Sequence, residues 1–539
     1  MKSAWALAIA AIVLPYLTHF PIDYDRIAPA ALLLPALWLG RKSWTALEDR
    51  PRGQRTDQLL ILIAAVVALV STFLSAHPAT SIVSYASWIW IFAGALLVRR
   101  VATSARLIRL VLAGIAVGAA VGCLTVWVQW VEGIPMTAVP HYQHIRLFGL
   151  HMLVGTVAAL AWIIAAAPRS HERMLAYAAG VISCGGMLWS GGRTPLAGVA
   201  AGLVIWFWYA PRLERQVLVR AVLVVVLGGA LLSFLRWSPE PYLGWWGAFA
   251  RTTAATSVDE LSSTRLSFWS VTWHEILRAP WIGHGADTYR FILPKQDGNQ
   301  PHNWILQFLH DFGVLGAVPL GWLLLRQAYR GLAGRGVQDE GEIIRSRRAA
   351  AGALTACLAA GLLDGVFYHV IILLPAALLA GIAGAAPRGK AVREARWYAA
   401  AWGSLAVTSA MVLGLHSYLF AALLLPPAPS GPDSPAPRLL RAFPSTTFAV
   451  DRWLNAWRRT HPEAVLEWIH WAQAHSDNPA PLHVYAALFY VERGDLASAA
   501  REVDEAMLKE HHRSLYKLRR LQEAIRAAQE HSVATRPTP

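Results

Sequence analysis

The hydrophobic residues of this 539-residue chain fall into long runs separated by short polar connections. A run must contain about 20 apolar residues to cross the roughly 30 Å hydrocarbon core of a membrane as an α-helix. Two of the runs are short, so we expect about 12–13 spans in an all-α, polytopic transmembrane helical bundle. The predicted spans lie near 4–20, 27–40, 58–76, 82–98, 106–130, 147–167, 173–189, 194–210, 217–236, 304–325, 348–366, 368–386 and 397–424.

Arginine and lysine are concentrated in alternate connections, a pattern typical of the cytoplasmic side of a membrane protein. The connections rich in these residues are 41–55, 99–100, 169–173, 212–215, 345–348 and 388–396. The short connections between them hold few basic residues, namely Arg26, Arg146 and Arg193. We therefore predict a cytoplasmic N-terminus, and we place everything after residue 424 on the opposite side.

Composition agrees with a membrane protein, because 55% of the residues are hydrophobic and only 15% are charged. Soluble domains usually carry about 25% charged residues. The net charge of +15 is spread over small clusters between apolar runs. Because the basic residues form no single stripe or tail, we expect no nucleic-acid partner. The three cysteines lie inside apolar runs, which predicts buried, unreactive thiols.

Two segments break the pattern of short connections. The predicted transmembrane domain, 1–425, contains a long outer loop at 237–303 that is rich in tryptophan, as interfacial structures often are. A proline-rich linker at 426–445 precedes a segment of amphipathic helices at 446–539. That segment has small, aromatic and turn residues at positions typical of a tetratricopeptide (TPR)-like helical hairpin, Ala487, Tyr490, Gly494, Ala499 and Ala506. A helical cap without repeat character is the alternative.

The residues with the clearest chemical potential gather on the predicted outer side. His302 and Asn303 lie where the long loop re-enters the membrane, and a neutral imidazole there can take a proton from an attacking hydroxyl. Arg193 lies between two spans, where a guanidinium costs about 2.5–3.5 kcal/mol if it enters the hydrocarbon. A lipid phosphate would compensate that charge, although a carboxylate from a distant span would do the same. Arg265 in the loop and Arg146 at the sixth span are further candidate phosphate ligands.

Other polar groups have weaker patterns. His284 and Asp287 form a polar turn that serves either as substrate contact or as structural support. Asp23 and Asp25 form a DxD sequence, the arrangement by which some membrane glycosyltransferases bind a divalent metal. DxD sequences arise often by chance, so we expect no metal and no other cofactor. The loop acids Glu240, Asp259 and Glu260 are hypothetical partners that orient His302 or the acceptor.

Taken together, three features resemble the O-antigen ligase and polymerase superfamily over roughly residues 55–385. They are the Ser-Gly-Gly-Arg-Thr sequence at Arg193, Arg265 three residues before Phe268-Trp269, and His302-Asn303 before Leu306-Gln307. The resemblance implies a bacterial inner-membrane enzyme with its long loop and C-terminal domain in the periplasm. It also implies a metal-independent glycosyltransferase that uses an undecaprenyl-pyrophosphate-linked glycan. In that family the residues matching Arg193 and Arg265 hold the pyrophosphate, and the one matching His302 activates the acceptor hydroxyl.

The resemblance implies three types of acceptor, namely the lipid A–core of lipopolysaccharide, a protein hydroxyl or a growing polysaccharide. O-antigen ligase-like transfer to lipid A–core is favoured, and the C-terminal helices suggest a protein partner or protein O-glycosylation. A transporter or flippase for lipid-linked glycan is the alternative of another class. Such a protein typically carries ionisable groups in the middle of its spans. Here the ionisable residues of interest gather at the outer edge, and even Asp364 lies near the outer end of its run.

Overall fold

The computed structural model describes residues 1–17, 28–39, 52–131, 142, 145–234, 244–263, 265–292, 300–334, 341–385, 407–414, 461–475, 480–509 and 515–534. These ranges are mainly helical and contain no strand. The N-terminal helices are α1 Lys2–Leu17, α2 Ala28–Leu39, α3 Arg52–Leu74, α4 Pro78–Val101, α5 Ala105–Val131, α6 Ile145–Ala165, α7 His171–Trp189, α8 Arg193–Tyr209 and α9 Arg212–Phe234. The helices that follow are α10 Gly244–Thr253, α11 Val258–Leu261, α12 Arg265–Arg278, α13 Trp304–Ala333, α14 Gly341–Gly361 and α15 Val370–Ala383. A 3₁₀ turn, Thr288–Phe291, follows α12, and the C-terminal helices are α16 Pro462–His475, α17 Ala480–Glu492, α18 Leu496–Lys509 and α19 Leu515–Ala534.

The prediction of an all-α, multi-pass membrane protein is confirmed. Five helices in the described ranges are long and apolar enough to cross a membrane, and several shorter apolar helices accompany them. The five segments are Thr80–Val101, Ala105–Val128, Ile145–Ala165, Arg212–Phe234 and Trp304–Ala333. The thirteenth predicted span, 397–424, lies largely outside the described residues, and the total number of spans stays a prediction.

The bundle is organised around α6, which is buried along almost its whole length. Helix α9 lies at the periphery and exposes Leu223, Leu227 and Leu231 along one face. An exposed apolar stripe of this size is unfavourable in water but suited to lipid. Small residues bring α8 and α14 into close contact, because a Cβ at Gly202 would lie 2.5 Å from Ala356 Cα. Such contacts let helix backbones approach closely within a membrane.

One end of the bundle is tied together by ion pairs around a buried carboxylate. Asp57 of α3 pairs with Arg99 at 2.9 Å, Arg330 at 2.9 Å and Arg326 at 3.4 Å. At the same end Arg348 pairs with Glu214 at 2.6 Å. These residues lie in connections between helices or at the adjoining helix ends. The charge pattern assigns all of these connections to the same side of the membrane. The assignment of that side to the cytoplasm stays a prediction.

Helix α13 is interrupted at Gly313, where φ is 58° and ψ is −172°. The interruption leaves backbone groups without their usual partners within the helix. The segment that follows α12 supplies replacements through four backbone hydrogen bonds. These are His284 N to His310 O (2.8 Å), Gly285 N to Asp311 O (3.0 Å), Val314 N to Pro280 O (2.8 Å) and Leu315 N to Trp281 O (3.1 Å). The segment that follows α12 is thereby joined directly to the helix that begins next to His302.

Replacing Gly313 with alanine is expected to destabilise the protein by at least about 2 kcal/mol, since this backbone region is nearly restricted to glycine. A Cβ at this position would also lie 2.3 Å from the carbonyl carbon of Trp281. The measurement is the melting temperature of the purified protein in detergent. Gly341→Ala is the matched control, because a Cβ at Gly341 meets nothing within 4 Å. Equal melting temperatures for the two variants would contradict the prediction.

The C-terminal segment contains the helical hairpin expected for residues 480–510. Helices α17 and α18 are joined by a turn in which Gly494 has φ 76°. Ala487, Ala499 and Ala506 are fully buried. The assignment of this hairpin to a TPR-like domain, and the domain boundaries, stay predictions. The linker predicted at 426–445 lies outside the described residues.

Candidate active site

Asp364, in the connection between α14 and α15, joins two residues that are far apart in the sequence. Its Oδ1 lies 2.8 Å from His302 Nδ1 and accepts a hydrogen bond from the Gly365 N–H at 2.9 Å. Its Oδ2 accepts a hydrogen bond from Arg265 Nη2 at 3.3 Å. The carboxylate is 6% exposed, so both contacts are largely shielded from solvent.

The charge of Asp364 determines which nitrogen of His302 carries the proton. Burial alone would raise the pKa of Asp364, but the hydrogen bond and charge of His302, together with the charge of Arg265, hold this pKa well below its usual value. An ionised carboxylate can only accept hydrogen bonds. His302 Nδ1–H is therefore the donor, and in a neutral ring Nε2 keeps its lone pair.

Aromatic residues of α12 hold the short segment that carries His302. Trp269 Nε1–H donates to Pro301 O at 3.0 Å, and the centroid of the Phe268 ring lies 5.9 Å from that of His302. His302 has φ 54°, which is uncommon for a residue with a side chain. Such backbone strain persists where surrounding contacts determine the conformation.

Asn303 acts as the N-cap of α13. Its Oδ1 accepts hydrogen bonds from the N–H groups of Ile305 at 2.9 Å and Leu306 at 3.2 Å. Its Nδ2–H donates to Leu362 O at 3.1 Å. A side-chain cap of this kind typically stabilises a helix by about 1 kcal/mol. These contacts orient the start of α13 next to His302, and a role of Asn303 in acceptor contact or in support stays a prediction.

Gln300 lies two residues before His302 and packs against the segment that carries Asp364. It is buried, and its Nε2–H donates to His369 Nε2 at 3.0 Å. A Cβ added to Gly365 would lie 2.0 Å from Gln300 Oε1, so the glycine makes room for this amide. These contacts join the segment that carries His302 to the segment that carries Asp364.

Arg193 and Arg265 are each held by the segment that carries the other. Arg265 Nη2 donates to Thr194 Oγ1 at 3.1 Å, and Arg193 Nη2 donates to Ser263 Oγ at 2.6 Å. These two hydrogen bonds join the start of α8 to the start of α12. Because His302 and Arg265 both bind Asp364, the three residues predicted from sequence form one connected group.

Arg146 lies in the first turn of α6 and is exposed. The pKa of Arg265 is lowered, first by burial and then by the charges of Arg146 and Arg193, while the charge of Asp364 acts in the opposite direction. The charges of Arg146 and Arg193 thus act on Arg265, and Asp364 offsets part of the charge of Arg265. The Nε–H of Arg265 is buried and has no hydrogen-bond partner within the described ranges. An anion with several oxygens would accept a hydrogen bond from this group and interact with the neighbouring guanidinium of Arg193.

His284 and Asp287 lie in the turn that follows α12. The centroid of the His284 ring is 4.9 Å from that of His310, and burial lowers the pKa of His284. Asp287 accepts hydrogen bonds from Tyr368 Oη at 2.5 Å and Ser84 Oγ at 3.1 Å. These contacts join the turn to neighbouring helices, and the choice between substrate contact and structural support stays open.

The sequence did not identify Asp364 as the partner of His302. Of the three loop acids considered for that role, Asp259 binds Ser267 within its own loop and Glu260 binds Thr256. Glu240 and the DxD residues Asp23 and Asp25 lie outside the described residues. The available signal for Asp364 was an acid next to a glycine at the predicted outer end of a span. For Gln300 the sequence contained no comparable signal.

Comparison with known proteins gives one family match. Residues 178–321 match the model of the family described as O-Antigen ligase, a stretch that contains Arg193, Arg265 and His302. Asp364 and Arg146 lie outside the matched residues. A search of curated proteins found no match. The matched stretch of this multi-pass membrane protein, which spans Arg193, Arg265 and His302, is thus similar to the O-antigen ligase family.

Proposed function

We propose that this protein transfers a glycan from undecaprenyl pyrophosphate to an acceptor hydroxyl at the periplasmic face of the bacterial inner membrane. The observation that carries the proposal is the direct link of His302 and Arg265 through the buried Asp364. A base and a cluster of cations next to each other suit a reaction in which a hydroxyl loses a proton and a diphosphate departs.

The arginines are proposed to bind the pyrophosphate of the donor. Guanidinium groups bind phosphate oxygens through paired hydrogen bonds, and they neutralise the charge that develops on the leaving group. Arg193 and Arg265 form the proposed clamp, with Arg146 adding positive charge at its edge. A carrier neutralised in this way departs readily, so the reaction needs electrostatic stabilisation more than a general acid.

His302 is proposed to act as the general base. Its Nε2 accepts the proton of the acceptor hydroxyl, while Asp364 stabilises the imidazolium that forms. The hydroxyl oxygen forms a bond to the anomeric carbon as the bond from that carbon to the pyrophosphate oxygen breaks. The undecaprenyl pyrophosphate leaves with the bonding electron pair, and the displacement inverts the anomeric carbon.

For the acceptor we propose lipid A–core, as in O-antigen ligation. Protein O-glycosylation is the second candidate, favoured by the C-terminal hairpin of α17 and α18, since helical hairpins commonly form protein-binding surfaces. Extension of a polysaccharide would use the same base and clamp. The reaction proposed for His302 and the arginines is the same for each acceptor.

The test is an assay with purified protein, an undecaprenyl-pyrophosphate glycan and each of the three acceptors, with and without chelator. We expect product with lipid A–core, an inverted glycosidic linkage by NMR, and an unchanged rate in the presence of chelator. Loss of product on chelation would favour a metal site at Asp23 and Asp25. Movement of the carrier across the bilayer without a new glycosidic bond would favour a flippase.

A further inference from the structure

A cavity of about 420 Å³ lies between α1 and α5. Its walls are mainly apolar, and two arginines and a glutamate line its polar part. The apolar side chains that line it include Trp5, Ile12, Leu107, Leu110, Ala113 and Val117. Apolar walls of this kind suit a hydrocarbon chain.

The two helices touch closely along one part of their length. A Cβ at Gly114 would lie 2.5 Å from Ala8 Cα, and a Cβ at Gly118 would lie 2.5 Å from Ala11 O. The glycines are four residues apart, the spacing at which small residues form a helix contact within a membrane. The cavity extends from this contact to the first two turns of α5, where Arg106 and Arg109 line it.

The polar part of the cavity lies at the end of the bundle away from His302. Arg109 pairs with Glu172 in the first turn of α7, at 3.1 Å. Helix α7 has 19 residues and ends at Trp189, four residues before Arg193. A helix of that length spans roughly 28 Å, about the thickness of the hydrocarbon core. The predicted topology assigns this end to the cytoplasmic leaflet.

The two arginines that line the cavity differ in their ion pairs. Arg109 is shared by Glu172 and, at 3.8 Å, Glu342. Glu172 also accepts a hydrogen bond from Trp162 Nε1 at 2.9 Å. Arg106 is exposed and makes no hydrogen bond or ion pair with any residue that the structure describes. Arg106 is therefore the cation available to an external anion.

We propose that this cavity binds an anionic glycerophospholipid. One acyl chain lies along the apolar walls, and the phosphate group contacts Arg106 near the membrane surface. Basic pockets between transmembrane helices on the cytoplasmic side are suited to anionic headgroups. An apolar cavity with a cation next to it matches the two parts of such a lipid, whereas a free anion would leave the apolar walls unused.

The test is native mass spectrometry of the full chain, titrated with phosphatidylglycerol or with phosphatidylcholine of the same acyl chains. We expect the wild-type protein to prefer phosphatidylglycerol. Arg106→Gln should weaken phosphatidylglycerol binding by about fivefold, the effect of one cation near an anionic headgroup, and weaken phosphatidylcholine binding less, because the choline cation offsets the phosphate charge of that lipid. Arg212→Gln is the matched control, because Arg212 is also an exposed arginine in the first turn of a helix but lies outside the cavity lining.

A second variant tests the apolar part of the site. Ala113→Phe fills the cavity without changing its charge and should weaken the binding of both lipids, with retained folding checked by the melting temperature. The proposal is overturned if Arg106→Gln keeps the full preference for phosphatidylglycerol. It is also overturned if Ala113→Phe binds like the wild type, or if inorganic phosphate displaces the lipid.

Discussion

Replacing His302 with alanine is expected to reduce glycan transfer by about 10²–10⁴-fold, the usual contribution of a general base. The donor should still bind, because the proposed clamp of Arg193 and Arg265 is retained. The measurement is the initial rate of product formation at saturating donor and acceptor. His274→Ala is the matched control, since His274 is an exposed histidine of α12 that bonds to Ser270 O. A His302→Ala variant that folds and keeps the wild-type rate would contradict the assignment.

Asp364→Asn provides a second variant at the same base. An amide is neutral and cannot stabilise an imidazolium as a carboxylate does, so we expect a lower rate at saturating donor, a condition that separates this effect from the loss of the Arg265 ion pair. The low pKa of Asp364 means that the wild-type carboxylate stays ionised at every pH above about 4. The contribution of this carboxylate to the free energy of folding is fully present above its unfolded pKa, and it is lost as pH falls through the lower folded pKa. The ratio of wild-type to variant rate should therefore not change with the ionisation of Asp364 between pH 6 and 8.

Replacing Arg193 with alanine is expected to reduce the transfer rate by about 10²–10³-fold, the range seen when one donor to a developing negative charge is removed. The structure gives Arg193 hydrogen bonds to the hydroxyl groups of Ser263 and Thr252, which are neutral. Its loss should leave the fold intact and weaken the interaction with pyrophosphate. The dependence of rate on donor concentration, measured at fixed acceptor, checks this prediction.

Arg278→Ala serves as the control for Arg193→Ala. Arg278 is an exposed arginine at the end of α12 and pairs only with Glu275 among its described ion pairs. We expect the control to keep the wild-type rate and donor KM. A change confined to the acceptor KM of Arg193→Ala would contradict a role in donor binding.

The gathering of the candidate residues at one end of the bundle was predictable because it depends on local properties, and the assignment of that end to the outer side stays a prediction. Arg193, Arg265 and His302 each lie in a connection on the predicted outer side, and the order of their motifs produced the resemblance. Their connection through Asp364 was not predictable. Asp364 is 62 residues from His302 and 99 residues from Arg265, and no spacing rule links positions so far apart.

For α13, too, the sequence predicted the helix but not the contacts that it makes in the folded protein. Hydropathy predicted a span near 304–325, and a helix is present there, but the pattern contained no sign of the break at Gly313. The freed backbone groups are satisfied by the segment around 280–285, which only the folded chain brings to them. Every backbone group in a membrane must find a partner, so the break depends on that contact.

The sequence by itself determined the membrane class of the protein, the positions of most helices and the residue types available for chemistry. These properties are local, because a bilayer sets the length and apolarity of each span and arginine distribution sets its predicted orientation. The tertiary structure alone decided that Asp364 holds His302, that Gln300 packs against Gly365, and that α12 packs against the segment before α13. The physical reason is that core-facing and lipid-facing residues of a span are equally apolar, so hydropathy cannot encode which helices touch.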